Sequence, residues 1–219
     1  GAFTTAQSAV LSSAQAAAIE TSDISALSTA NVRALSTDAI SALGTEQIVA
    51  LTTAQIQALT TAQAESLRTD QITALQSTDV AVLSSAQSAV LNSAQVAAID
   101  ATDISALSTN AVRALTTDGI TGLSTDQIAH FTSNQISALN TAQAAVITSS
   151  QAAAIETTDI SALSTAAVRA LDSNAVAALS TAQILALTTS QTAALNSDQI
   201  SGMTTAQIAA LESSRSEEH

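Results

Sequence analysis

Large apolar residues recur along this chain at every eighth position. Starting from Phe3 and stepping by eight through Leu11, Ile19 and Leu27 to Leu211, all 27 positions are large and apolar. With that residue as position 1, position 3 is Ser or Thr in 26 of 27 octads, Ala101 being the exception. Position 2 is Ser, Thr, Asp or Asn in 21 of 27. Position 5 is most often Gln, position 6 Ile or Val, and position 8 Ala, so the consensus reads L-[ST]-[ST]-x-Q-I-x-A.

No continuous helix can use this pattern. Eight residues at 100° each leave a remainder of about 80°, which winds the Leu row around every face of a helix within about five octads. A straight strand does no better, because positions 1 and 6 have opposite parity and would point to opposite faces. Ala-rich, Gly-poor octads also lack the usual composition of tight β-solenoid corners.

A very short helix in each octad does fit. In LTTAQIQAL (residues 51–59), Thr52 supplies an N-cap, Gln55 the third-residue partner of a capping box, and Leu51 with Ile56 the two ends of a hydrophobic staple. Every octad is thus expected to restart a helix at position 2. The hydroxyl at position 3 then needs another partner, in the backbone of the preceding corner or in a stacked neighbour.

Helices of five or six residues are unstable alone, because nucleation costs more than one or two hydrogen bonds return. Packing must hold them. The expected fold is all-α, a solenoid of very short helices, one per octad, stacked around a Leu/Ile/Ala spine. Two octads per coil would make the array on the order of 130 Å long, and three about 90 Å. The sequence reads as one array over residues 1–219, with octads across 3–211 and an irregular end at 212–219.

Comparison among octads supports a shared core. Where position 6 shrinks, position 8 sometimes grows, as in Ser8 with Val10, Ser88 with Val90 and Ala144 with Val146; this suggests local conservation of volume. Ala16, Ala64, Ala152 and Thr192 lack the compensating Val. A longer unit, AAIETSDISALSTANVRAL from Ala17, returns with small changes from Ala97 and Ala153, at spacings of 80 and 56 residues. Those are ten and seven octads, which respect neither a two-octad nor a three-octad coil. The octads therefore look interchangeable, and the chain can lengthen one octad at a time.

Composition narrows the uses. There is no Pro, Cys, Trp, Tyr or Lys, and the aromatics are Phe3 and Phe131. Disulfides and thiolate metal sites are excluded. A net charge of −13 repels phosphate backbones and anionic membrane surfaces, so nucleic acid is not expected as a partner. No apolar run approaches the roughly 18 residues of a membrane span, so no membrane insertion is expected.

Candidate chemistry is sparse. His130 replaces a small residue at position 8 and His219 closes the chain; a lone His without Cys or a second His reads as a surface or packing variant rather than a ligand or base. Acid pairs recur in the long repeat as Glu20 with Asp23, Asp100 with Asp103, and Glu156 with Asp159, followed by Arg33, Arg113 and Arg169. Carboxylates of this kind suit a hard cation, but helix-dipole complementation, with each Arg paired to an acid on the next coil, is the simpler reading. No nucleophile elbow, Ser/His/Asp order or Gly-rich phosphate loop is present. No catalytic, cofactor-binding or metal-binding residue is expected, no cofactor is implied, and the chain does not read as an enzyme. The ending RSEEH and Gly1 depart from the consensus, read as vector-derived, and are expected to carry no function.

The octads LTTAQIQA (51–58), LSTAQILA (179–186) and LTTSQTAA (187–194) resemble the L-[ST]-[ST]-x-Q-[IV]-x-A tracts of very large bacterial repeat proteins described as adhesin-like or secreted. The resemblance spans residues 3–211 and implies a segment of a longer, exported array at or outside the cell surface, whose partners are neighbouring repeats. The expected function is a structural spacer or stalk. The alternative is a binding or scaffolding surface whose regular Ser/Thr array recognises a polysaccharide, ice or a protein; it fails if the position 3 hydroxyls are consumed by capping or point inward.

Overall fold

The computed structural model describes residues 3–216, with side chains through residue 212. Its described residues form 24 α-helices and two short 3₁₀ helices, mostly one per octad and four to six residues long; the last, Thr205–Ser216, has 12. The fold is an all-α solenoid of short helices. The chain divides into two compact units between Gly119 and Ile120.

Each octad builds its helix in the same way. The position 1 Leu lies in extended conformation, as at Leu51 with φ −65° and ψ 137°, and so does the position 2 cap, as at Thr52 with φ −77° and ψ 156°. These two extended residues make the corner. No described residue has a positive φ, so the chain turns at every octad without needing glycine. The Thr52 hydroxyl accepts from the Gln55 N–H at 3.3 Å, and Gln55 Oε1 accepts from the Thr52 N–H at 2.7 Å. This is the reciprocal capping box expected from the sequence, with position 2 as the cap.

In the first unit, Ser13–Ala17 packs on Thr37–Ala42, and Thr29–Ala34 on Thr53–Ala58. In the second, Thr125–Ala129 packs on Ser149–Ala154, and Ser173–Ala177 on Ser197–Gly202. Each helix thus meets the one three octads on. Hydrogen bonds between coils join residues 25 to 31 apart, for example Arg68 to Leu43 and Gln55 to Ile24. A coil therefore holds between three and four octads, more than the two or three weighed from the sequence. A non-integral coil also accounts for the long repeat: every octad meets neighbours three and four octads away, so a whole-octad shift preserves the contacts.

Positions 1, 5 and 6 are buried through most of both units, positions 2, 3, 4 and 7 are mainly exposed, and position 8 is mostly half-buried. The spine is the expected Leu, Ile and Ala, with alanines such as Ala16, Ala64 and Ala152 buried at position 6, and the position 5 Gln joins it. Volume compensation between positions 6 and 8 does not hold at Val10, which is 79% exposed. Ser8 and Ser88, standing where Ile or Val usually does, are fully buried, and their hydroxyls have no hydrogen-bond partner among the described residues.

The rule of one α-helix per octad fails at 99–106 and 155–162. There the sequences IDATDISA and IETTDISA give only 3₁₀ helices, Ile104–Ala106 and Ile160–Ala162. Asp100 turns its carboxylate onto the Thr102 N–H at 2.9 Å, a bond two residues on that competes with helix capping. Position 5 is Asp103 in one and Asp159 in the other, and neither 3₁₀ helix has a side-chain cap.

Candidate functional site

The most distinctive side chain is the position 5 glutamine. Its Oε1 closes the capping box of its own helix, at 2.9 Å from the Thr60 N–H for Gln63 and 2.7 Å from the Ser180 N–H for Gln183. Its Nε2 reaches the coil behind. Gln55 donates to the Ile24 carbonyl at 2.8 Å and the Leu27 carbonyl at 2.7 Å, while Gln71 reaches Ile40 at 2.9 Å and Leu43 at 2.8 Å. In the second unit Gln199 reaches Val168 at 2.8 Å and Leu171 at 2.7 Å. Each amide thus bonds the carbonyls 31 and 28 residues earlier.

Those carbonyls belong to a helix end and the corner after it, where backbone acceptors otherwise go unpaired. One glutamine therefore satisfies the start of its own helix and the end of another, and its burial follows: Gln55, Gln71 and Gln127 are 0–1% exposed. The sequence showed the capping half of this role. The inter-coil half was invisible, although the recurrence of Gln where Glu would cap equally well was a signal for a donor.

Departures from Gln are informative. Asn31 donates its Nδ2 to the Phe3 carbonyl at 2.6 Å. Asp79 closes the box by accepting from the Gln76 N–H at 3.2 Å, but is buried at 3% exposure, and that burial pushes its carboxyl above the usual carboxylate value. By the same register it faces the carbonyls of Ile48 and Leu51, to which an ionised carboxylate cannot donate.

The position 3 residues stand at the first helical position and are exposed, apart from half-buried Ser93, Ser149, Ser173 and Ala101. The hydroxyls of Thr53, Thr61 and Thr69 take no hydrogen bond among the described residues, whereas Ser133 donates to Asp159. The second partner expected for this hydroxyl is generally not used. Position 2 does the capping, and position 3 faces outward.

The residues singled out for chemistry remain dispersed. His130 is exposed, and its Nδ1 lies 2.8 Å from the Asp126 carbonyl in its own octad; His219 lies outside the described residues. Burial, with the neighbouring Asp100 charge second, pushes the Asp103 carboxyl up. Arg33 and Arg169 form no ion pair among the described residues, so the expected pairing with an acid on the next coil does not hold for them. Arg68 does form one, but at position 2 and with Asp70 two residues on, at 2.9 Å; that hydrogen bond holds the Asp70 carboxyl below its usual value. Among the described residues, no group of three or more His, Cys, Asp or Glu converges, and no helix is long and apolar enough to cross a membrane.

An uncharged amide ladder that joins coil to coil, octad after octad, defines a structural helical repeat protein. The chain belongs to the ALTTAQ repeat family, which matches residues 16–53, 48–77, 96–133, 152–189 and 185–213. The matches beginning at 16, 96 and 152 repeat the 80- and 56-residue spacings of the long internal unit. Neither the curated proteins nor the solved structures contain a significant match to the chain.

Proposed function

We propose that this repeat protein is a spacer, a segment of a larger exported bacterial protein whose task is to set a distance. The observation that carries the reading is the glutamine register, identical at Gln55, Gln71 and Gln199. An added octad brings its own cap, its own spine residues and its own amide to the carbonyls behind it, so length can change without a new design. The acidic, lysine-free composition accords with a role other than nucleic-acid binding. Export is supported by the resemblance of the octads to secreted repeat tracts.

The test is to insert one to six consensus octads after Ala58 and measure small-angle scattering. The maximum dimension should rise linearly, by about a third of a 10 Å coil per octad, at constant cross-section. A cross-section that grows with each insertion would refute the spacer.

A second reading is favoured by the outward position 3 hydroxyls. Thr21, Thr45 and Thr69 lie on successively packed helices and expose their side chains, forming a regular row that capping does not consume. On that reading the chain shows thermal hysteresis or binds a polysaccharide, and changing the three Thr to Ala removes the effect while the circular dichroism stays the same. No effect in either assay excludes it.

A further inference from the structure

Asp79 is the only charged side chain that is buried among the described residues, at 3% exposure. The other acids at position 5 are not: Asp103 and Asp159 are half-buried and Asp23 is exposed. One Asp79 oxygen, Oδ2, takes the capping place of a glutamine Oε1 and accepts from the Gln76 N–H at 3.2 Å. The other, Oδ1, accepts no hydrogen bond among the described residues, and the carboxylate enters no ion pair there. A charge taken out of water is costly unless it is paired or bound to a metal ion.

What Oδ1 faces is a pair of acceptors. The octads on either side fix the register: Gln71 donates to the Ile40 and Leu43 carbonyls, and Gln87 to those of Ile56 and Leu59, at 2.8 and 3.0 Å. Position 79 lies midway and faces the carbonyls of Ile48 and Leu51. The Ile48 carbonyl accepts from the Leu51 N–H at 3.1 Å; the Leu51 carbonyl accepts no hydrogen bond among the described residues. Both oxygens lie at the C-terminal end of Thr45–Ala50, where helix carbonyls carry partial negative charge. Aspartate is one methylene shorter than glutamine, so Oδ1 stands back from these carbonyls by the length of that group. A carboxylate oxygen and two carbonyl oxygens held apart in this way suit a hard cation, which takes such ligands.

We propose that the Asp79 carboxylate and the Ile48 and Leu51 carbonyls bind one monovalent cation of sodium type, which replaces the glutamine amide as the link between coils. Charge selects the ion. A single carboxylate is neutralised by one positive charge, whereas a divalent ion would leave a net charge in a buried place. The ligands come from two coils, so the ion binds only the folded chain and stabilises it. The site does not depend on the spacer reading, since it acts on the fold that either reading requires.

Urea unfolding of the 219-residue chain in matched series of sodium chloride and choline chloride, followed by circular dichroism, tests the proposal. At equal ionic strength the two salts screen the net charge of −13 alike, and choline is too bulky to sit among three buried oxygens. The chain should be more stable in sodium, its unfolding constant falling by up to about tenfold for each tenfold rise in sodium, as uptake of one ion requires. Asp79→Asn keeps the size of the side chain and should abolish the difference between the salts. Asp79→Gln, which restores the amide link and so keeps the fold, should abolish it too, and its gain over the parent should be largest in choline. Asp103→Asn should leave the difference intact. Equal stability of the parent in both salts overturns the proposal and leaves the proton, which burial favours at Asp79, to neutralise the carboxylate. A sodium effect that survives both Asp79 variants, or stabilisation by calcium chloride where sodium chloride has none, also overturns it.

Discussion

Gln55→Glu should destabilise the first unit by about 3–5 kcal/mol at neutral pH, although it is nearly isosteric and keeps the capping box. The Oε1 atom that accepts from the Thr52 N–H survives the change. The Nε2 donors to Ile24 and Leu27 do not, and an oxygen with no hydrogen takes their place beside two buried carbonyls. The cost combines two lost hydrogen bonds with the desolvation of a charge. Because the folded-state pKa of the new carboxyl lies above its unfolded value, stability is highest in acid and is lost as pH rises through the folded pKa. Urea unfolding followed by circular dichroism at several pH values measures both the size and the slope. Gln7→Glu provides the control: its side chain is exposed and its Nε2 makes no hydrogen bond among the described residues, so the shift should stay within about 0.5 kcal/mol. Equal losses at Gln7 and Gln55 would show that only capping matters and that the inter-coil bonds contribute nothing.

Asp79→Gln should act in the opposite direction and stabilise the same unit by about 2 kcal/mol at neutral pH. Asp79 is the octad's position 5 residue, buried and already accepting from the Gln76 N–H, as a glutamine would. Replacement keeps that bond, removes a desolvated charge and supplies donors for Ile48 and Leu51. Burial raises the Asp79 pKa above 3.8, with the Gln76 hydrogen bond opposing it. Between the unfolded value and the raised folded value the native state binds more protons, so stability falls as pH rises through this window. Asp103, raised by burial and then by Asp100, adds to the same trend, whereas the lowered Asp70 opposes it. Asp79→Gln should therefore flatten part of the slope as well as raise the plateau. The midpoint of urea unfolding at pH 4 and pH 7 reads both, and a variant less stable than the parent at pH 7 would refute the register assigned to Asp79.

The 3₁₀ segments show that local chemistry alone does not set the helix type. Ile104–Ala106 and Ile160–Ala162 fall where the octad has an acid at both positions 2 and 5, and the capping box is absent there. Thr21–Ala26, with the same substitutions as Glu20 and Asp23, nevertheless stays α-helical without a side-chain cap. Propensity within the octad therefore leaves the helix type open, and the surrounding packing selects it.

The restart of a helix in every octad was determined by the sequence, because a capping box joins residues three apart and a staple residues five apart. Thr52, Gln55, Leu51 and Ile56 carry that information within one octad, and the position 5 Gln recurs in 16 of the 27 octads. The identity of the coil neighbours was decided by tertiary structure. The Gln55 amide finds its carbonyls 28 and 31 residues away, and nothing in eight residues distinguishes a two-, three- or four-octad coil. The outward direction of Thr53 was likewise settled by the stack: either hydroxyl at positions 2 and 3 suits a helix start, and burial of Leu51, Gln55 and Ile56 on one face leaves Thr53 on the other. Local hydrogen bonds set the length of each helix, and the burial of one shared face sets how the helices wind.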